Sequence, residues 1–118
     1  MFEISDFEKL PDNKYAILQS VVQKLLFLAK RLRPDLQTAL SFLCTRVRSP
    51  DISDWKKLRR LLQFVRTTLE EKLILSMDGL TFMNTWVDAY YAVHNDMRRH
   101  TGGCITLRSG MIHCKSSK

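Results

Sequence analysis

The hydrophobic period of this chain changes near residue 70. From Lys14 to Leu69 apolar residues recur at three- and four-residue spacing, one face of a helix, whereas from Leu73 onward they run in extended segments divided by turn signals. A chain that is helical first and stranded afterwards, with short links between its strands, folds as α+β with an antiparallel meander, not as alternating βαβ units. The expected architecture is three amphipathic helices to about residue 70, then a three- to four-stranded antiparallel sheet.

Residues 1–13 read as a polar leader, closing on Leu10-Pro11-Asp12-Asn13. The first helix runs from Lys14 to Leu32, with Leu18, Val21, Val22, Leu25, Leu28, Ala29 and Leu32 on its buried stripe. Arg33-Pro34-Asp35 ends it and starts the next, because proline disfavours helical geometry in the residue before it yet suits a first helical turn. Leu36, Ala39, Leu40, Leu43 and Val47 form the second stripe. After Ser49-Pro50, Asp51 or Ser53 is placed to cap a third helix, which is lined on one side by Trp55, Leu58, Leu62, Val65 and Leu69. Leu73-Ile74-Leu75 then reads as a short strand, Met77-Asp78-Gly79 as a hairpin turn and Leu80 to Val93 as a long strand. A polar loop, 94–100, leads to strands Thr101–Leu107 and Met111–Lys115, joined at Arg108-Ser109-Gly110.

With 118 residues, 45% hydrophobic and 26% charged, the chain supports a single modest core and is not disordered. It has no apolar run of about 18 residues and no basic, apolar start, so neither a membrane span nor a secretion signal is expected. Cys44, Cys104 and Cys114 are an odd number without a Cys-x-x-Cys pair, which fits a reducing compartment, the cytoplasm or nucleus. The net charge of +7 is uneven: Glu3, Asp6, Glu8 and Asp12 gather at the start, and the basic excess lies in the later helices and tail. Its densest part is the third helix, where Lys56, Lys57, Arg59, Arg60 and Arg66 lie away from the apolar side. Such a face is either a solvated surface or a phosphate-tracking one, since basic surfaces bind polyanions through counterion release.

Asp88 stands in the middle of the apolar, aromatic-rich segment from Leu80 to Val93. A carboxylate there must reach solvent at the sheet edge or hold a cation, because burial without a partner costs about several kcal/mol. Around it stand Trp86-Val87-Asp88-Ala89, Tyr91-Ala92-Val93-His94, Asp96-Met97-Arg98, His100-Thr101-Gly102-Gly103 and Ser116-Ser117-Lys118, while upstream come Lys24-Leu25-Leu26-Phe27-Leu28-Ala29-Lys30, Arg33-Pro34-Asp35-Leu36 and Asp54-Trp55-Lys56-Lys57-Leu58. In order and spacing these segments, spread over residues 13 to 118, resemble a copia-type retrotransposon polyprotein. The match runs from the connection after the reverse-transcriptase palm into the start of the RNase H domain.

That resemblance implies a helical connection region over residues 14–70 and the first strands of an incomplete RNase H-like fold over 73–118. It implies an RNA/DNA hybrid as ancestral substrate, with Asp88 as the first magnesium ligand and the basic third helix near the phosphates. RNase H chemistry uses two Mg2+ ions, which need three or four converging carboxylates. Downstream of Asp88 the chain offers only Asp96. Asp88 is therefore expected to be vestigial and the fragment to be silent without a cofactor of its own. Gln23, Thr67-Thr68 and Tyr90 depart from the family pattern and fit such decay.

Two other readings stay open: a noncatalytic basic nucleic-acid-binding module using the third-helix cations, and a small helical protein-interaction module. His94, His100, His113, Cys104 and Cys114 match no closed four-ligand zinc spacing, and His113 and Cys114 fall on opposite faces of a strand. Gly102-Gly103 reads as a strand start with close backbone approach, and Trp55 and Trp86 as core or interface anchors.

Overall fold

The first helix starts where proline fixes φ and a carboxylate follows. In the computed structural model, which describes residues 8–76, 81–92, 94, 96–107 and 110–118, α1 (Asp12–Arg31) follows Pro11. It carries Asp12 in its first turn and Lys30 and Arg31 in its last, so both ends complement the helix dipole. Leu18, Val22, Leu25 and Ala29 form its buried stripe. Leu32, expected on that stripe, is largely exposed, because the helix has ended and the chain turns away.

Arg33-Pro34-Asp35 breaks the helical path as the sequence implies. One 3-10 turn, Pro34–Leu36, leads into α2 (Gln37–Arg46), and α3 follows (Ile52–Thr67). Arg33 is 8% exposed. Its Nε and Nη2 donate to the Asp35 carboxylate at 2.9 and 2.7 Å, while Nη1 and Nη2 donate to the carbonyl and hydroxyl oxygens of Thr68 at 2.9 and 2.8 Å. One guanidinium thus ties the start of α2 to the end of α3.

Asp51 caps α3. The Asp54 backbone N–H donates to Asp51 Oδ1 at 2.8 Å, the Asp51 N–H donates back to Asp54 Oδ2 at 3.1 Å, and Arg46 Nε donates to the same Oδ2 at 3.1 Å. The leader is more ordered at its end than a loop: Leu10 N–H donates to the Pro50 carbonyl, Ile52 N–H donates to that of Glu8, and Leu10 is buried. Residues 1–7 lie outside the described residues. Asp54→Ala is expected to lower the unfolding free energy by about 1–2 kcal/mol. Urea denaturation reads this, and Ser53→Ala, at the other candidate cap, should change it by less than about 0.5 kcal/mol.

The core joins Leu10 to the helix stripes: Leu18, Val22, Leu25 and Ala29 of α1, Leu36, Leu40, Phe42 and Leu43, then Leu58 and Leu61 of α3. In α3, Leu61 takes the place expected for Leu62, which faces outward, and Leu69 lies beyond the helix and exposed. At about 100° per residue Leu61 and Leu62 flank the Leu58–Val65 line on opposite sides within equal arcs, so helix geometry alone does not choose between them. α2 is buried on more than one side, so Phe42 and Gln37 are enclosed as well as its expected stripe.

The strands pair in chain order, antiparallel, as β1 (Asn84–Tyr90), β2 (His100–Leu107) and β3 (Gly110–Ser117). Leu73-Ile74-Leu75 is not a strand. That segment runs beside the start of β3, where a Cβ on Gly110 would fall 2.8 Å from Ser76 N, so glycine is needed there for the chain to pass. The expected Leu80–Val93 strand shortens to Asn84–Tyr90, since Tyr91 turns out and Ala92 takes a left-handed φ of 58°. The turn at Met77-Asp78-Gly79 lies outside the described residues, as do Val93, Asn95, Arg108 and Ser109. α2 packs on β3, while every residue of β1 is exposed. The radius of gyration is 16.0 Å, against about 13.5 Å for a compact domain of this length. The fold is α+β with an under-covered sheet.

Candidate functional site

Asp88 lies on β1, at an edge of the sheet, and its side chain is exposed. Alternation along the strand puts Trp86, Asp88 and Tyr90 on one face. Register sets Cys104, Gly102 and His100 of β2 opposite them, with Cys114 and Ser116 of β3 in the next row. With Pro34, Gln37 and Thr38 that face lines an open cleft of about 590 Å³. Of the two fates open to a charge in this segment, the structure gives Asp88 the solvent edge. Trp86, read as an anchor, is 63% exposed, whereas Trp55 packs partly against the core with Lys14 Nζ 5.8 Å from its ring centroid.

A two-metal centre does not fit these residues. Among the described residues no three of His, Cys, Asp or Glu come together as ligands. Asp96 is held by Lys118 Nζ at 2.5 Å and Arg98 Nε at 3.5 Å, which keeps its carboxyl below the usual range, the Lys118 hydrogen bond leading. One carboxylate cannot hold a pair of hard cations, and no metal-assisted step follows from this set.

The basic residues of α3 do share a face. Lys56, Arg59, Arg60 and Arg66 are exposed and at about 100° per residue fall within roughly 120° of arc, opposite Leu58, Leu61 and Val65. Lys57 leaves this group: it is half-buried, with its Nζ 4.8 Å from the centroid of the Phe42 ring.

One cluster was not foreseen. His94, 5% exposed, stacks on Phe42 with ring centroids 6.5 Å apart. Its Nε2 meets His100 Nδ1 at 3.0 Å, and His100 Nε2 meets Ser116 Oγ at 2.6 Å. Only the folded chain brings these together; the His94–His100 spacing alone carries no such signal. Burial chiefly, then the positive charge of Lys118 and His100, depresses the His94 imidazole below its ordinary value, with Asp96 opposing. The unfolded chain therefore binds the proton first as pH falls, and stability rises with pH across this range. Lowering pH from about 7 to about 5, through the unfolded value near 6.5, is expected to destabilise the protein. His94→Gln should flatten that slope in urea titrations at successive pH values, and an unchanged slope would count against the buried neutral ring.

No family model matches the chain, and no solved structure matches it. Over 100 residues, 85% of the chain, it is 32% identical to the putative transposon Ty5-1 protein of Saccharomyces cerevisiae, of which it covers 32%. It is 28% identical to an uncharacterized mitochondrial protein of Arabidopsis thaliana, again over 85% of the chain and 41% of that protein. A secreted RxLR effector protein of Plasmopara viticola is 29% identical over 84% of the chain and 70% of its own length. The chain thus spans a third to two fifths of the first two relatives. No helix among the described residues is long and apolar enough to cross a membrane. Over most of its length the chain is thus similar to part of a putative transposon protein.

Proposed function

We propose that the chain is a segment of a copia-type retrotransposon polyprotein, joining the connection region after the reverse-transcriptase palm, residues 14–70, to the first strands of an RNase H-like domain, residues 73–118. In this reading it binds nucleic acid of the RNA/DNA hybrid class and does not cut it. The carrying observation is the order of parts in a chain 32% identical over 100 residues to a transposon protein: helices, the third with one cationic arc, then antiparallel strands whose first holds Asp88. Lys56, Arg59, Arg60 and Arg66 offer a run about 15 Å long along the α3 axis, suited to successive phosphates. Lys57 contributes from the flank. Asp88 is the vestige of a magnesium site, and among the described residues no further ligands gather beside it.

Fluorescence anisotropy with an RNA/DNA hybrid tests the reading. Four phosphate contacts give a slope of log K against log salt of about −3 to −4, so affinity falls about a hundredfold between 50 and 200 mM salt. Arg59→Ala or Arg60→Ala should reduce the slope by about one. Asp88→Asn should leave binding unchanged, and calorimetry should show no tight paired uptake of Mg2+. A slope near zero, or strand cleavage that Asp88→Asn abolishes, would overturn it.

A further inference from the structure

The face around Asp88 has a composition that neither phosphate binding nor metal binding uses. Asp88 is flanked at two residues on either side by Trp86 and Tyr90, both mainly exposed on the same face of β1. Directly across from Asp88 is Gly102, where a built Cβ meets no heavy atom within 4 Å. The missing side chain leaves a gap beside the carboxylate, closed on its far side by Ser116. Gln37 lines the same cavity and is only 5% exposed, so it forms part of the cleft floor, and among the described residues the cleft's one carboxylate lacks a positive partner.

We propose that this cleft binds a guanidinium group, with the Asp88 carboxylate as counter-ion and the Trp86 and Tyr90 rings as cation–π faces. The chemistry selects among cations. Magnesium demands several oxygens in fixed octahedral array, whereas one carboxylate between two aromatic rings favours a planar, weakly hydrated cation with several N–H donors. Anions are disfavoured at the same spot by Asp88. Lys115 also contributes to the cavity wall, from a pleat position opposite Gly103 that belongs to the other face, and makes no ion pair with Asp88 among the described residues. Its charge and the net +7 weaken the site without filling it. Affinity is accordingly expected in the millimolar range, as for one partly screened carboxylate beside two exposed rings.

The inference does not rest on the nucleic-acid reading, and either can fail alone. Agmatine titrated into the full chain, followed by amide and indole NMR shifts, is expected to give saturable changes at Trp86 and Gln37. Asp88→Asn should weaken it at least about tenfold. Gly102→Leu, whose Cβ enters open space and whose longer side chain fills the gap, should abolish it, and Lys115→Ala should tighten it. Unchanged spectra away from the cleft show that each variant is folded. Butylammonium, lacking the planar fork, should bind less well. A short extended peptide centred on arginine distinguishes the source of the group: binding tighter than agmatine marks an arginine side chain whose backbone pairs with the open edge of β1, and equal binding marks a small molecule. Absence of any shift at about 20 mM agmatine, or binding that both Asp88→Asn and Gly102→Leu leave intact, would overturn the proposal.

Discussion

Phe42→Ala is expected to lower the unfolding free energy by about 3–5 kcal/mol, a large part of the stability of a domain this small. The ring is 1% exposed and sits where three elements meet. On one side it joins the core of Leu40, Leu43 and Leu58; on another it carries the Lys57 ammonium, and His94 from the turn before β2 stacks on it. Truncation removes the ring's transfer energy and leaves a cavity that a helix anchored by Arg33 at its start cannot collapse to fill. A second readout separates this from a general core defect. With the stacking surface gone and water admitted, the His94 imidazole should move back up toward its ordinary value, visible in its NMR titration. Leu32→Ala, at an exposed position beyond the end of α1, should stay within about 0.5 kcal/mol of the parent. A Phe42→Ala loss under about 1.5 kcal/mol would show that the sheet does not depend on α2 for its seat.

The helices were legible because each buries one stripe, and a 3.6-residue period with proline breaks marks both stripe and ends. Asp51 could be named as a cap from its place after Ser49-Pro50, and the reciprocal bond from Asp54 then follows from the three-residue spacing. Phe42 was not legible, because period analysis finds a single face and α2 has more than one. The strand limits were hidden for a related reason. Leu80 to Val93 is apolar on both faces, so alternation could not say where pairing stops, and the stop is set instead by the left-handed turn at Ala92. Leu73-Ile74-Leu75 has strand composition, but it lies against the close approach of Gly110 without entering the ladder.

The candidate site divides in the same way. Cations at 56, 59, 60 and 66 fall on one arc by helix geometry alone, whereas Lys57 was drawn inward by an aromatic ring that the sequence did not place beside it. Asp88 could be singled out as an oddity in its strand, yet its surroundings come from register: Gly102 across from it and Ser116 beyond belong to strands paired over more than a dozen residues. The His94–His100–Ser116 chain needs the same pairing, plus the position of α2. Local chemistry names candidate groups, and long-range pairing decides their company.

Arg33→Ala is expected to destabilise the protein by about 2–3 kcal/mol, the second largest loss among these variants. The guanidinium makes four bonds that no other side chain replaces, two to the Asp35 carboxylate and two to Thr68 at the end of α3. The effect falls below that of breaking a fully buried pair because the Asp35 side chain is 45% exposed and water takes over part of its solvation. Arg33→Lys should recover little, since one ammonium cannot span both partners. Asp35→Ala should cost less than Arg33→Ala, leaving the Thr68 bonds in place, and the double variant should show coupling of about 1 kcal/mol. The acid limb gives an independent check. Hydrogen bonding from Arg33 holds the Asp35 carboxyl below its ordinary value, so its stabilisation is present above the unfolded-state value and is lost as pH falls through the folded one. Arg33→Ala should therefore be less stable at neutral pH and lose less on acidification than the parent. If the two proteins instead run parallel below about pH 4, near the ordinary aspartate value, the fork is not what couples α2 to α3.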